Sequence, residues 1–253
     1  MLIVINLVMN SRVISPCLSL SDWAYLLGSG LLGFYITDVF QIRSYQYIGP
    51  RESVSIFTLN PCISAIMAFF FLGQKLTISQ AIGMMVTAAG VIVLVYPDLE
   101  KERRGRSKDN RLKGIALATG AAFFQALSLV LARKANSEID PYSVNLVRCI
   151  GGLVSLSVFR LANGQWSSDF RIMAKKPDGL LLLSAAFLGP ALGMCLEMKA
   201  FTLASLGVVT AITQISPVIL LVIDLLYCHK RPSGFSIAGT LISISGVMLL
   251  FLA

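Results

Sequence analysis

The sequence predicts an all-α integral membrane protein, a helical bundle made of two related halves. Three observations predict it. First, 56% of the 253 residues are hydrophobic and 13% charged, with a mean hydropathy of +0.77, whereas soluble domains carry about 25% charged residues. An aqueous fold of this length could not bury so much apolar surface, but lipid solvates it. Second, the apolar residues fall in long continuous runs. Third, those runs repeat at a fixed offset.

Taken in order, residues 1–10 are apolar but too short to cross a bilayer, which takes ~20 residues. A signal peptide would open with a basic region, which is missing here, so that reading is not expected. Eight longer runs follow, at residues 23–42, 53–72, 79–96, 114–131, 142–161, 179–198, 206–227 and 235–253. Continuous runs exclude the alternating pattern of a transmembrane β-barrel. The longest polar stretch, DLEKERRGRSKDNRLK at residues 98–113, is expected to link a first repeat at residues 1–97 to a second at residues 114–253.

The repeat emerges when Pro61 is placed on Pro217, an offset of 217 − 61 = 156. In that ungapped register Gly33 falls on Gly189, Gly83 on Gly239 and Gly90-Val91 on Gly246-Val247. The second half then holds five spans, while the first holds three and the tail of a fourth. This arithmetic implies a ten-span parent, of which the sequence is an N-terminally shortened version. Two halves with an odd number of spans enter the membrane from opposite sides, the inverted-repeat plan of many alternating-access transporters.

Several function classes have little to draw on. Cys17, Cys62, Cys149, Cys195 and Cys228 are scattered without a CxxC pair, and His229 is the only histidine. Neither a metal site nor a Ser-His-Asp triad can be assembled from these. No nucleotide-binding glycine loop or zinc-protease motif occurs, so no cofactor and no enzymatic activity are expected. The net charge of +8 comes from basic residues between the apolar runs, as in membrane-protein loops, and not from a nucleic-acid-binding face.

Ionisable and amide side chains inside spans are the candidates for solute contact, because each costs at least ~2.5–3.5 kcal/mol at membrane depth. Tyr35, Asp38 and Gln41 share one helix face by their spacing. Arg148, one turn after Asn145, could clamp a carboxylate or phosphate, or else satisfy backbone carbonyls. Glu197 occupies the repeat position of Gln41 and could carry a proton. Gln125 is a further candidate. In the span at 206–227, Gln214, Pro217 and Asp224 form one stripe. Pro61, preceded by Asn60, matches Pro217 across the repeat; interior prolines interrupt the helix and make both positions candidate hinges. Gly83, Gly90, Gly239 and Gly246 are expected to let helices pack closely.

The stretch YQYIGPRESVSIFTLNPCISAIMAFFFLGQKLTISQAIGMMVTAAGVIVLV, from Tyr45, resembles the EamA domain of the drug/metabolite transporter superfamily. FTLASLGVVTAITQISPVILLVIDLLYCHKRPSGFSIAGTLISISGVMLL, from Phe201, resembles it more loosely, as does GIALATGAAFFQALSLVLARKA, from Gly114. The sequence departs from the pattern at Gln74, where a glutamate is usual, and at the matching Lys230. The resemblance implies ten spans in two inverted repeats, and secondary transport of a small metabolite or drug-like solute across the membrane by alternating access. The expected partners are the lipid bilayer and a small-molecule substrate; coupling to a proton or another ion, and a homodimer, are compatible with it. The expected place is a multi-pass position in a plasma (inner) membrane. The alternative is a non-transporting, shortened membrane subunit that packs with a partner. On orientation two arguments disagree. The excess of Lys and Arg puts the 98–113 linker in the cytoplasm, and the resemblance implies the reverse.

Overall fold

The computed structural model describes residues 18–73, 77–102, 108–135, 140–162, 164, 180–181, 184, 187–204, 209 and 234–251. The described chain is built from helices. Helix α1 (Leu20–Gly30) begins at a reciprocal cap: the Ser19 hydroxyl accepts from the Asp22 amide at 3.3 Å, and the Asp22 carboxylate accepts from the Ser19 amide at 3.0 Å. A π-helical segment, Leu31–Ile36, joins α1 to α2 (Thr37–Ile48). Gly49, at φ 83°, turns the chain so that Pro50 can open α3 (Pro50–Phe57). Glycine takes this left-handed φ without a side-chain clash. Next come α4 (Asn60–Leu72), α5 (Ile78–Glu102), α6 (Lys108–Lys134) and α7 (Pro141–Ala162). A second π segment, Phe187–Gly193, leads into α8 (Met194–Leu203), and α9 (Gly234–Phe251) ends the described chain.

Two features differ from the sequence reading. A single kinked helix was expected over residues 53–72, but Thr58 and Leu59 separate α3 from α4, and Pro61 lies in the first turn of the new helix. Proline has no amide to donate, and its ring blocks the carbonyl one turn back, so the first turn is where it fits best. In addition, α5 and α6 run into the expected linker from both sides and leave only residues 103–107 outside the described helices. Glu, Lys and Arg are good helix formers and extend the two helices.

Three described helices are long and apolar enough to cross a membrane: Leu20–Ile48, Asn110–Lys134 and Pro141–Ala162. Asn60–Leu72 and Ile78–Gly90 are shorter apolar helices. The span expected at 179–198 is described only in part, and that at 206–227 lies outside the described residues apart from Val209.

Many small and polar side chains are buried alongside apolar ones, while many large apolar side chains are exposed. Ala118, Ala121, Ala122, Ser29, Ser64, Ser128, Asn145 and Arg148 are buried, while Phe70, Phe71, Leu153 and Val158 are exposed. Water would drive the opposite arrangement. A helix bundle in lipid gains from close contact between small residues and from interior polar pairing.

The chain divides into two compact units. One contains the described residues of Met1–Tyr35 and Leu131–Ala204, and the other those of Ile36–Val130 and Ser205–Ala253. In the first, α1 packs on α7 with almost no side chain between them: a methyl added at Gly30 would run into the Arg148 carbonyl, and one at Gly151 would lie 2.6 Å from the Leu27 carbonyl oxygen. In the second, α5 and α9 cross in the same manner. A methyl at Gly90 would strike the Ser243 backbone, and one at Gly246 would strike that of Thr87. Partner numbers fall on one helix as they rise on the other, so the two helices run antiparallel. Elsewhere in this unit Ile48, Ile56 and Ala118 form a buried cluster, and Phe40 meets Phe124 edge-on at 5.2 Å.

Candidate functional site

The first unit collects a polar cluster around Arg148. Its guanidinium belongs to the middle of α7, a helix that can cross the membrane, and it is 2% exposed. The Arg148 Nε donates to the Ser29 hydroxyl on α1 at 2.8 Å, and the guanidinium carbon lies 5.4 Å from the centre of the Phe34 ring in the first π segment. Asn145, one turn earlier on α7, is fully buried. Glu197, in the first turn of α8, is half-buried and within electrostatic reach of Arg148. Helix α8 packs directly on α7. Tyr35, also on the π segment, packs at a tilt against Phe159 of α7, with ring centres 5.4 Å apart.

The cluster follows from local packing. Gly30, Gly151 and Gly152 remove side chains where α1 meets α7, so the backbones approach and a short serine can reach the arginine. A guanidinium inside lipid needs charge-assisted hydrogen bonds or an opposite charge to offset its lost hydration. Ser29 supplies one such hydrogen bond. Chemically, a planar cation with a fork of donors beside an aromatic face is suited to an anion.

In the second unit, Gln41 does not join Tyr35 and Asp38 in a common set. The Gln41 Nε2 donates to the Ser53 hydroxyl at 3.0 Å, while the Ser44 hydroxyl donates to the Gln41 carbonyl at 2.7 Å and pairs with Ser53. The Gln41 side-chain oxygen is buried without a hydrogen-bond partner among the described residues. Asp38 is exposed on α2, well inside the Leu20–Ile48 helix, and makes no hydrogen bond or ion pair among the described residues. Asn60 is buried at the start of α4, where its side-chain oxygen accepts from Ser64 at 3.0 Å. Gln125 is half-buried on α6. Gln214, Pro217 and Asp224 lie outside the described residues. Of the expected packing glycines, Gly90 and Gly246 sit in the α5–α9 crossing, where Gly83 and Gly239 contribute carbonyls.

An open groove of about 380 Å³, lined by Phe40, Tyr47, Lys113, Ala116 and Leu117, also belongs to the second unit and contains none of the expected site residues.

Sequence reasoning missed Ser29, Phe34, Ser44 and Ser53. Ser29 had a signal, since Gly28-Ser29-Gly30 is a run of small residues inside an apolar span. It also missed the two π segments, Leu31–Ile36 and Phe187–Gly193. Their first residues are 187 − 31 = 156 apart, the offset of the sequence repeat.

A family model described as the EamA-like transporter family matches residues 1–96 and 112–252. Human "Solute carrier family 35 member G1" is 24% identical over 202 residues, which cover 78% of this chain and 54% of that protein. "Uncharacterized transporter YvbV" of Bacillus subtilis (strain 168) is 26% identical over 232 residues, covering 90% of this chain and 71% of its own. The chain thus spans from about half to seven-tenths of the length of these curated relatives. A crystal structure of a protein at 16% identity superposes with a TM-score of 0.70 over 99% of this chain and 81% of that one, a likeness of fold.

Proposed function

Since this chain belongs to the EamA-like transporter family, we propose that it is a secondary transporter that moves a small solute across the membrane by alternating access. The observation that carries this reading is the pair of helix interruptions at one repeat register. Leu31–Ile36 and Phe187–Gly193 each widen a helix by one residue per turn, and each stands just before a polar position, Asp38 and Gln41 in one case and Glu197 in the other. Interruptions at matched positions of two halves mark the solute and ion sites of transporters. Segments of π-helix, moreover, concentrate at functional positions because they shift the backbone ladder and redirect side chains.

Other features support the same reading. The antiparallel, reciprocal crossing of α5 and α9 is what two halves of inverted topology would produce, with Gly90 on Ser243 and Gly246 on Thr87. Asp38 is an exposed carboxylate inside a helix long and apolar enough to cross a membrane, without a hydrogen bond or ion pair among the described residues, and such a group calls for water or a cationic ligand beside it. The break before Asn60 and Pro61 gives a third interruption and a hinge. The candidate solute contacts are Arg148, Asn145 and Glu197 within the first unit and, taken separately, Asp38, Gln41 and Asn60 within the second.

Counterflow in proteoliposomes tests the proposal. The purified protein is challenged with labelled organic anions, cations and neutral solutes. Wild type is expected to accumulate at least one of them, and Arg148→Ala and Asp38→Ala are expected to cut that uptake tenfold or more at equal insertion. Unchanged uptake in both variants overturns the site, and no uptake of any solute by wild type overturns the function.

A further inference from the structure

The open groove of the second unit lies between α2 and α6, and its lining passes from charged to apolar along its length. The two helices touch at two places. A methyl added at Gly114 would strike the Tyr47 and Ile48 side chains, and one at Gly120 would press on the Phe40 ring. These contacts are 120 − 114 = 6 residues apart on α6, about 9 Å at the α-helical rise. Partner numbers fall on α2 as they rise on α6, so the helices run antiparallel. Lys113, Ala116 and Leu117 recur at i, i+3 and i+4 and share one face of α6, opposite Tyr47 and Phe40. Ala116 is exposed, and its short side chain leaves the groove open on the outer surface.

The length of α6 sets the depth of this lining. Its apolar part, Asn110–Lys134, has 25 residues, about 37 Å of helix against a hydrocarbon core of about 30 Å. Centred in a bilayer, that helix puts Lys113 where hydrocarbon meets headgroups, and Ala116 and Leu117 within the hydrocarbon. Tyr47, beside Gly114, stands at the level of Lys113, and Phe40, beside Gly120, lies deeper. Tyrosine and lysine are the side chains that settle at this boundary, apolar body inward and polar tip outward. Lys113 is exposed and makes no ion pair or hydrogen bond among the described residues. The sequence just before it adds Lys108 and Arg111 against a single acid, Asp109.

We propose that this groove binds an anionic phospholipid, with the headgroup phosphate at Lys113 and an acyl chain along Phe40, Ala116 and Leu117. Charge complementarity decides for this occupant. An anionic phospholipid matches the lining at both ends, phosphate to ammonium and hydrocarbon to aromatic and aliphatic side chains. A soluble anion would leave the apolar length of the groove uncovered. A zwitterionic lipid would bring its own positive charge close to Lys113, Arg111 and Lys108. Basic side chains at the ends of membrane helices select anionic lipids in this way. The groove, at about 380 Å³, has the size of a small-ligand cleft. It contains none of the candidate solute contacts, so the proposal holds whichever solute is carried.

Native mass spectrometry of the purified full chain, released from a neutral detergent, tests the site. The probes are phosphatidylglycerol and phosphatidylcholine with identical acyl chains, and glycerol phosphate as a headgroup without chains. Wild type is expected to hold phosphatidylglycerol about fivefold more tightly than phosphatidylcholine, the contribution of one basic side chain beside an anionic lipid. Lys113→Ala should remove that preference and Lys113→Arg should keep it. Lys199→Ala, which removes an equal charge from an exposed position on α8, should leave it at the wild-type value. Ala116→Trp fills the groove from its open side and should abolish the tight phosphatidylglycerol adduct; should it fail to fold, the lysine variants carry the test. Equal affinity for the two lipids in wild type overturns the proposal, as does a preference that survives Lys113→Ala or an adduct that survives Ala116→Trp. Displacement of the lipid by an equal concentration of glycerol phosphate overturns it in favour of a soluble anion. Loss of self-association in Ala116→Trp, with lipid binding unchanged, overturns it in favour of a second copy of the chain.

Discussion

At the scale of single residues, the cost of charge in lipid made the site partly legible. Arg148, Asn145 and Glu197 stood out in the sequence because each is polar within an apolar run, and all three belong to one compact unit of the fold. Ser29 did not stand out, because a serine in a membrane helix usually bonds to its own backbone, and its role depends on a contact across 119 positions of sequence. Ser29→Ala removes a hydrogen bond to a buried cation and should lower stability by about 1–2 kcal/mol. Thermal unfolding in detergent reads the loss, and Ser29→Thr should recover most of it. Arg148→Lys keeps the charge but forfeits the Nε donor and the forked geometry. Solute uptake in counterflow should fall at least tenfold, and thermal unfolding should show a loss similar to that of Ser29→Ala, because the same hydrogen bond is gone.

At the scale of elements, hydropathy located the helices well and their interruptions poorly. Apolar content sums over ~20 residues and is insensitive to one extra residue in a turn, so both π segments were invisible. Pro61 was visible, but its effect depended on whether the helix could restart at Asn60, as it does. A π turn arises when a helix absorbs one additional residue. Deleting Leu32 should therefore turn Leu31–Ile36 into plain α-helix and leave the melting temperature within about 2 °C of wild type, while counterflow falls tenfold or more. Deleting one residue from the unbroken ladder of α6, at Leu127, rotates everything after it by about 100°. That variant should unfold at a clearly lower temperature, and similar melting curves for the two deletions would refute the assignment of Leu31–Ile36 as an inserted turn.

At the scale of the whole molecule, the repeat at offset 156 was legible because glycine and proline are constrained by backbone geometry and keep their register while apolar residues drift. The α5–α9 crossing shows what those glycines do. Gly90 and Gly246 lie at matched places in it, and each faces backbone of the other helix. Gly90→Ala and Gly246→Ala should cost similar amounts, about 1–3 kcal/mol each as typical overpacking, measurable by thermal unfolding. Unequal losses would argue against a symmetric crossing. The sequence by itself determined that the chain is a membrane bundle of helices, because transfer of apolar residues to lipid depends on composition along the chain. Only the tertiary structure decided which groups satisfy Arg148, that Gln41 is taken up by Ser53, and where the helices loosen into π turns. Those outcomes depend on which backbones can touch, and that is settled by the glycines of one helix meeting a neighbour from far along the chain.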